Sequence, residues 1–383
     1  MRIIAAPDSF KGSLSSFAAA QAIEKGLLRI FPDADICKVP IADGGEGTVD
    51  ALVTMTHGQR MHTTVQNPLG HPVEAAWGLL PENDGYIAVI EMAEASGLLL
   101  IPEEERDIRR ASTYGTGQLI KAALDQGARR IIIGIGGSAT NDGGAGMAEA
   151  LGVKFFSAHG KRLARGGAAL AQLERIDTSS LDARLKETEI FIASDVNNPL
   201  CGPKGASAVY GPQKGATPAI VQELDAALFH YAAIAKRDVG LDVNALAGSG
   251  AAGGLGAGLM LFTNGKMRNG IELILKTIGF ANLLNGADLV ITGEGHTDAQ
   301  TAHGKAPVGI ARLAKEQQIP VICLSGALGS DAGEILSQGI DAIAATPRAP
   351  IALQDCIENA ATLLADAAER TAQLLKIGMH LQK

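Results

Sequence analysis

The chain has few aromatic residues and no excess of positive charge. Phe, Trp and Tyr make up 4% of its 383 residues, and 33 Lys and Arg stand against 41 Asp and Glu, for a net charge of −8. Proteins that bind nucleic acid need a basic footprint, and those that bind single strands also need aromatic stacking platforms. The composition therefore disfavours a nucleic-acid partner, so a bound phosphate must be met by local lysines, backbone amides or a metal ion.

Cysteine is also scarce and unpatterned. The four cysteines form no Cys-x-x-Cys pair and lie far apart, at Cys37, Cys201, Cys323 and Cys356. The chain opens with a short apolar run that Pro7 and Asp8 interrupt at once, which is unlike a signal peptide or an anchor. We therefore expect a reduced protein of the cytoplasm.

A long uncharged segment calls for a membrane test. Residues 243–265 contain no Asp, Glu, Lys or Arg, but six glycines between positions 248 and 258 make the segment weakly apolar and a poor isolated helix. A buried loop and helix is the favoured interpretation. The eight histidines show no ligand spacing on a helix, which disfavours a zinc site.

Familiar nucleotide motifs are missing or incomplete. The sequence has no Gly-x-x-x-x-Gly-Lys-Ser/Thr and neither of the His-Arg-Asp and Asp-Phe-Gly signatures of protein kinases. Residues 134–139 match the dinucleotide fingerprint Gly-x-Gly-x-x-Ala, yet the acidic residue expected about twenty positions later is absent. Three interpretations stay open for this segment: NAD binding, glycines for tight packing, or an anion cradle of amides near Ser138, Thr140 and Asn141.

Strands and helices alternate at both ends of the chain. The patterns predict strands at 2–6, 36–42, 289–292, 321–324 and 342–345, and helices at 17–30, 48–55, 308–315, 333–337 and 353–375. The middle has another texture: short β-like runs at 63–65, 73–77 and 86–90, then helices at 117–126 and 220–236 and strands at 130–135 and 190–193. We therefore predict a discontinuous, doubly wound α/β domain from residues 1–60 and 286–383, with 61–285 inserted as a second α/β domain.

Glycine and acidic residues recur together at predicted strand ends, in the segments 43–47, 141–144, 194–199 and 293–298. Glycine lets backbone N–H groups approach an anion, and carboxylates hold Mg²⁺ or accept a proton. Plainer interpretations stay open: Asp195 suits an Asx-turn or helix cap, and the glycines near 253, outside these four segments, suit close packing. The recurrence of one design favours an enzyme that handles a phosphorylated ligand.

Several ordered blocks resemble the bacterial class I glycerate kinases: residues 6–13, 42–48, 135–144, 211–216 and 292–295. The resemblance runs from the first strand to the last helix. It implies ATP-dependent phosphorylation of D-glycerate to 2-phosphoglycerate, in the breakdown of glycolate, glyoxylate and glucarate. It also implies a flavodoxin-like domain built from both chain ends, with an inserted α/β domain.

Phosphoryl transfer needs in-line placement of a hydroxyl, Mg²⁺ on the phosphates and positive groups where charge spreads. Our hypothesis is that strand-end loops of both domains face one cleft. There three carboxylates act: Asp195 orients or deprotonates the glycerate hydroxyl, and Glu294 and Asp298 position Mg²⁺ directly or through water, with Lys11 and Lys305 neutralising phosphate or the substrate carboxylate. The residues expected to contact glycerate or ATP, beside those three, are Asp8, Ser9, Lys11, Ser13, Asp43, Gly44, Gly45, Glu46, Gly136, Gly137, Ser138, Thr140, Asn141, Asp142, Asn197, Gly253, Gly254 and Lys305.

Two other functions stay open at this point. An NAD-dependent hydroxyacid dehydrogenase would use the fingerprint at Gly134, and a non-catalytic sensor would use the same loops only to bind a phosphorylated metabolite.

Overall fold

The computed structural model describes residues 1–83, 85–302 and 304–381. The strands of this part are β1 (Arg2–Pro7), β2 (Asp35–Lys38), β3 (Gln59–Gln66), β4 (Pro72–Glu82), β5 (Gly85–Glu91), β6 (Ala128–Gly134), β7 (Lys154–Ser157), β8 (Leu173–Asp177), β9 (Glu189–Ala193), β10 (Lys266–Arg268), β11 (Leu289–Thr297), β12 (Val321–Leu328) and β13 (Ala342–Ala345).

The α-helices of the same part are α1 (Ser16–Leu28), α2 (Thr48–Thr56), α3 (Ala93–Ser96), α4 (Tyr114–Asp125), α5 (Ala145–Ala150), α6 (Ala206–Tyr210), α7 (Pro218–Asp238), α8 (Ala251–Thr263), α9 (Gly270–Thr277), α10 (Phe280–Leu283), α11 (Ala299–Ala302), α12 (Ala306–Glu316), α13 (Leu353–Glu358) and α14 (Ala360–Leu381). Short 3-10 helices lie at Leu98–Leu100, Glu103–Glu105, Gly167–Gln172, Ala183–Lys186, Pro212–Lys214 and Ala332–Gln338.

The chain divides into two compact units. Unit 1 comprises Met1–Asp43 and Ile271–Lys383, and unit 2 comprises Gly44–Gly270. The sequence patterns place these transitions later, after residues 60 and 285. The first difference arises because α2 packs against β4 and β5 of unit 2, although its position after two N-terminal strands suggests membership of the first unit. The second difference arises because α10 and nearly all of α9 precede residue 286 but already belong to unit 1, which resumes at Ile271.

Unit 1 is built on a five-stranded sheet in the order β13-β12-β11-β1-β2, with every neighbouring pair parallel. Ile3 of β1 lies opposite Leu289 of β11 on one side and Ile36 of β2 on the other. Helices α1 and α14 pack against each other over the apolar core. Because the strands are parallel, their carboxyl ends meet at one edge, where ligands of such sheets bind.

Unit 2 has a six-stranded mixed sheet in the order β10-β9-β6-β5-β4-β3. Strands β5, β6, β9 and β10 run parallel, whereas β3, β4 and β5 form an antiparallel meander. A separate antiparallel pair joins β7 and β8. The single tryptophan, Trp77, is buried in the core of unit 2, and its indole N–H donates to the hydroxyl of Thr63 at 2.9 Å.

Helix α7 begins as its sequence predicts. Thr217 caps it by accepting the amide of Ile220, and Pro218 occupies the first helical position, where no amide partner is needed. The uncharged segment 243–265 contributes α8, which is buried in unit 2. Within the described ranges, no helix combines the length and apolar character that a membrane span requires.

Candidate active site

Acidic groups meet at the carboxyl edge of the sheet of unit 1. Asp8 directly follows β1, and its carboxylate accepts the amide of Ser9 at 2.6 Å. Burial, reinforced by the charges of Asp43 and Glu294, raises the pKa of Asp8 to about 7, although Lys11 and the Ser9 amide oppose this rise. A carboxyl group that ionises near neutrality beside a lysine is suited to charged ligands.

Glu294 lies within β11 and is 7% exposed. Its Oε1 accepts the hydroxyls of Thr297 at 2.9 Å and Thr301 at 2.7 Å. Burial raises the pKa of Glu294, while these hydroxyls and Lys305 act in the opposite direction. The side chain is thereby held in one orientation at the strand end.

Asp298 has a structural role beside Glu294. Its Oδ1 accepts the amides of Gln300 at 2.9 Å and Thr301 at 3.3 Å, which caps the short helix α11. Lys305 Nζ lies 3.9 Å from the same oxygen. Across residues 1–83, 85–302 and 304–381, no three His, Cys, Asp or Glu side chains form a ready-made metal cage.

The turn after β1 is held by its own hydrogen bonds. The hydroxyl of Ser13 donates to the carbonyl of Phe10 at 2.9 Å, so Ser13 supports the turn that carries Ser9 and Lys11. Lys11 is exposed on this turn.

All the predicted site residues of unit 1 except Asp298 line one cavity of about 760 Å³. Small and apolar residues from the ends of β12 and β13 and from α13 complete its wall. The full lining is Asp8, Ser9, Phe10, Lys11, Ser13, Asp43, Glu294, Gly295, His296, Lys305, Gly326, Ala327, Ala345, Thr346, Pro347, Ala349, Pro350, Ile351, Leu353, Cys356, Ile357 and Ala360.

A second group of predicted residues gathers at the carboxyl edge of the sheet of unit 2. A Cβ added to Gly134, at the end of β6, would lie 2.2 Å from the carbonyl oxygen of Gly44, so only glycine permits this approach. A Cβ on Gly44 would lie 2.9 Å from Ala193 Cβ, at the end of β9. Gly45 lies beside Gly136, whereas Glu46 is exposed on the same loop.

Asp195 follows β9 at this edge. Its Oδ1 accepts the side-chain amide of Asn269 at 2.7 Å and the backbone amide of Gly270, the first residue of α9, at 3.2 Å. The plainer interpretation, a helix cap, is therefore part of its role. Asp195 and Asn197 are nevertheless both exposed to solvent.

The segment 136–142 separates into a surface part and an interior part. Gly136 and Gly137 are exposed and Ser138 is 8% exposed, whereas Thr140, Asn141 and Asp142 are fully buried. The carboxylate of Asp142 accepts the amide and hydroxyl of Thr113 and the amides of Gly144 and Gly146. Residues 140–142, which the sequence predicts as ligand contacts, therefore lie in the interior, and Asp142 braces the loop through these bonds.

Gly253 and Gly254, which the sequence predicts as part of an anion cradle, have a packing role in the structure. Both have left-handed backbones, with φ of 68° and 87°, inside a break of α8. The carbonyl of Gly253 accepts the amide of Gly143 at 3.0 Å, and the amide of Gly254 donates to Gly250 at 3.4 Å. The pair therefore packs on the 140–143 loop, which is the packing interpretation that the sequence left open.

Sequence reasoning missed Lys214 as a site residue. Lys214 is 1% exposed, and its ammonium donates to Ser138 Oγ at 2.6 Å and to the carbonyl of Thr140 at 2.7 Å. Burial lowers the pKa of Lys214 to about 7, and Asp142 counteracts part of this effect. Since the ammonium occupies a lone pair of Ser138, the serine hydroxyl hydrogen is directed to another acceptor. The only signal in the sequence is the block 211–216.

Glu91 is a second residue that sequence reasoning missed. It ends β5, and its Oε1 accepts the amide of Val49 in the first turn of α2 at 2.8 Å. Burial raises the pKa of Glu91 to about 7 against the stabilising amides of Val49 and Gly47. A carboxyl group in an apolar strand carries no local pattern that marks it as a helix partner.

The dinucleotide fingerprint does not adopt its expected geometry. Strand β6 ends at Gly134, but the next helix, α5, begins only at Ala145 and is six residues long. The fingerprint requires a helix that opens within the glycine run, where its N-terminus receives the pyrophosphate. The segment instead forms the looped surface described above.

The fold and these strand-end clusters define an α/β protein whose polar loops gather at sheet edges. The sequence model of the Glycerate kinase family matches residues 3–376. The chain is 48% identical to the glycerate kinase of Bacillus subtilis over 383 residues, covering 100% of this chain and 99% of the relative. It is 48% identical to the glycerate 2-kinase of Escherichia coli over 380 residues, covering 99% of each.

A solved structure agrees with this relationship. The structure of a glycerate kinase 2 from Salmonella typhimurium superposes with a TM-score of 0.89 at 49% identity, and 99% of each chain is covered. The chain belongs to the glycerate kinase family and is a kinase. The predicted family resemblance is confirmed.

Proposed function

We propose that the chain transfers the γ-phosphoryl group of ATP to the 2-hydroxyl of D-glycerate and releases 2-phosphoglycerate and ADP. Kinase family membership supports ATP as the donor, and the Escherichia coli relative named a glycerate 2-kinase supports the 2-position. We assign the reaction to the cytoplasmic breakdown of glycolate, glyoxylate and glucarate. Free cysteines at the four described positions are compatible with that compartment.

One observation carries this proposal: Asp8 and Glu294 lie with Lys11 and Lys305 in the wall of one cavity of about 760 Å³. Phosphoryl transfer demands little covalent chemistry from a protein and much positioning of charge. Lysine ammonium groups would bind phosphate oxygens as point charges, and unit 1 would hold the nucleotide.

The acidic residues fit a magnesium ion that arrives with its nucleotide. Mg²⁺ usually takes one or two protein carboxylates, with water and substrate phosphates completing its shell, so a ready-made cage is unnecessary. Asp8 and Glu294 would hold the ion, with Asp298 acting through water because its Oδ1 caps α11. When bound, the ion would neutralise charge on the phosphates.

Unit 2 would supply the groups for the acid substrate. We assign Asp195 to orienting or deprotonating the glycerate hydroxyl, since its carboxylate is exposed while Asn269 and Gly270 fix one of its oxygens. The exposed loop Gly136–Gly137 and the Ser138 hydroxyl would bind an anionic group. Gly44, Gly45, Glu46 and Asn197 would line the same sheet edge.

The two compact units are our proposed domains, and we class unit 1 as flavodoxin-like and doubly wound. Counted within the unit, its parallel strands follow the order 2-1-3-4-5, which is the flavodoxin order. Helix α12 packs on strands β1, β11 and β12 of this sheet, and helices α1 and α14 pack against each other.

The test is a coupled assay with purified protein, ATP and either D- or L-glycerate. We expect ADP release that depends on D-glycerate, and phosphorus NMR should show the phosphate on the 2-hydroxyl. A 3-phosphorylated product would overturn the position, ligand binding without ADP release would favour the sensor, and NADH formation the dehydrogenase. Asp195→Asn keeps the side-chain shape, so near-normal turnover in this variant would eliminate Asp195 as the base.

A further inference from the structure

The cavity of unit 1 changes in chemistry from one end to the other. Around the ends of β1 and β11 its lining includes the charged residues Asp8, Lys11 and Glu294. Over β12 the wall consists of Gly326 and Ala327, and beyond β13 it is apolar, with Pro347, Ile351, Leu353, Ile357 and Ala360.

The strand order gives the distance between the charged end and the apolar end of the cavity. Strand β13 is two places from β11 and three from β1 in the sheet. Neighbouring strands lie about 4.8 Å apart, so the apolar end is roughly 10–14 Å from the charged end. That span is comparable with the length of a ribose and triphosphate.

Size and chemistry together limit the occupant. A cavity of about 760 Å³ is in the range that takes a drug-sized ligand. Glycerate is a small, wholly polar acid, so it would leave most of the volume empty and gain nothing from the apolar wall. A nucleoside triphosphate carries charge at one end and a flat aromatic ring at the other.

The apolar end is also incompletely covered by the protein. Leu353 is 75% exposed and Ile351 is 43% exposed, although both line the cavity. Apolar side chains that rim a pocket and remain in water gain free energy when a ring covers them. In the middle of the wall Gly326 allows a close approach to β11, because a Cβ there would lie 2.6 Å from the carbonyl oxygen of Gly295.

From these observations we infer that the wall formed by residues 345–360 is the subsite for the adenine ring of the phosphoryl donor. The ring packs against Pro347, Ile351, Leu353 and Ile357, and the phosphates extend over β12 towards Lys11 and Lys305. This inference rests on the proposed function for the identity of the donor. It adds a binding site for the base, which the strand-end motifs do not mark.

Cys356 gives a direct probe of this subsite, because it lines the cavity and is half-buried. Cys37 is equally half-buried but lies on β2, at the opposite edge of the sheet, and is the internal control. The intact enzyme is treated with an alkylating reagent, and the modification rate of each cysteine is read from its peptide by mass spectrometry. ATP, inorganic tripolyphosphate and D-glycerate are added separately.

We expect ATP at ten times its dissociation constant to slow the modification of Cys356 about tenfold relative to Cys37. Tripolyphosphate and D-glycerate should leave the ratio unchanged. If tripolyphosphate protects Cys356 as well as ATP does, the phosphates alone cause the protection. If D-glycerate protects Cys356, the cavity binds the acid substrate. Either result overturns the inference.

Turnover measured on the same samples separates this inference from the proposed function. If the enzyme phosphorylates D-glycerate at full rate while ATP leaves Cys356 unprotected, the adenine subsite is refuted and the proposed kinase reaction stands. Protection without any turnover supports the subsite and refutes the proposed reaction.

A pair of variants gives an independent measurement. Cys356→Phe fills the apolar end, and we expect the KM for ATP to rise at least about tenfold while the KM for D-glycerate stays unchanged. Cys37→Ser, at the opposite edge of the sheet and outside the cavity lining, is the control and should keep both KM values within about twofold. An unchanged KM for ATP in the phenylalanine variant contradicts the assignment.

Discussion

Replacing Lys214 with methionine tests whether burial lowers the pKa of this lysine. Lys214 is 1% exposed, and its ammonium donates to Ser138 Oγ and to the carbonyl of Thr140. Methionine preserves most of the volume of the side chain and removes the charge. The stability difference between wild type and Lys214→Met should therefore depend on pH.

The expected size follows from the pKa of Lys214, which burial lowers from 10.5 to about 7. Because the folded pKa lies below the unfolded one, the unfolded chain binds the proton more tightly. Folded wild type therefore gains stability as the pH rises from about 7 towards 10.5 and loses it as the pH falls. At about 1.4 kcal/mol per pH unit, the full change is about 5 kcal/mol, of which about 3 kcal/mol falls between pH 7 and about pH 9.5.

Guanidinium denaturation of both proteins at these two pH values measures the effect. The single tryptophan, Trp77, is buried in unit 2 with Lys214, so its fluorescence reports the relevant unfolding transition. Wild type should gain about 3 kcal/mol relative to Lys214→Met at the higher pH. The exposed Lys186→Met is the matched control, with a constant difference. A Lys214→Met difference that stays constant within about 0.5 kcal/mol would refute the reasoning.

Three further outcomes are expected. Burial raises the pKa of Glu91 to about 7, so wild type should gain roughly 2–3 kcal/mol as the pH falls from 7 to 4.5, and Glu91→Gln should lack this gain in the same fluorescence assay. Gly253→Ala places a Cβ 1.9 Å from the carbonyl oxygen of Thr140 and should cost more than about 2 kcal/mol, whereas Gly240→Ala, also left-handed but with open space, should cost about 1 kcal/mol. Since burial raises the pKa of Asp8 to about 7, kcat/KM for ATP should rise as the pH passes 7, and Asp8→Asn should lack this rise.

Each of these has a contrary result. A Glu91→Gln protein that gains the same stability on acidification would show that another group takes up the proton. Equal costs for the two glycine variants would assign the whole effect to backbone conformation. A pH profile of Asp8→Asn that matches wild type would remove Asp8 from the ionisation that controls ATP use.

Most elements of unit 1 could be predicted from the sequence because the local patterns are strong. The strand at 2–6 and the helix at 17–30 correspond to β1 and α1, and the strands at 321–324 and 342–345 correspond to β12 and β13. The predicted strand at 36–42 is shorter, since β2 ends at Lys38. Val39 and Ile41 still donate to carbonyls of β1, but Pro40 between them has no amide to continue a regular ladder.

The helical pattern at 353–375 corresponds to two helices, α13 and α14, which meet at Asn359. The predicted helix at 333–337 is a 3-10 helix, Ala332–Gln338. Periodicity reports which face is apolar and does not distinguish one continuous helix from two short ones that share that face.

The site was only partly accessible from the sequence. Asp8 directly follows β1, and Glu294 comes two residues after the apolar run 289–292, and this local signal led to them. Lys214 could not be recognised in the same way, because its partners Ser138 and Thr140 lie 76 and 74 positions earlier in the chain. Its burial is a product of tertiary packing, which no single-sequence pattern encodes.

The pairing of Ile3 with Leu289 has a consequence during synthesis. The ribosome delivers β1 and β2 first and all of unit 2 next, so the contiguous unit can fold while the opening strands still lack β11. Until the last third of the polypeptide emerges, β1 presents an unpaired edge that other nascent chains can join. Slow translation of that final third would therefore lengthen the interval of greatest aggregation risk.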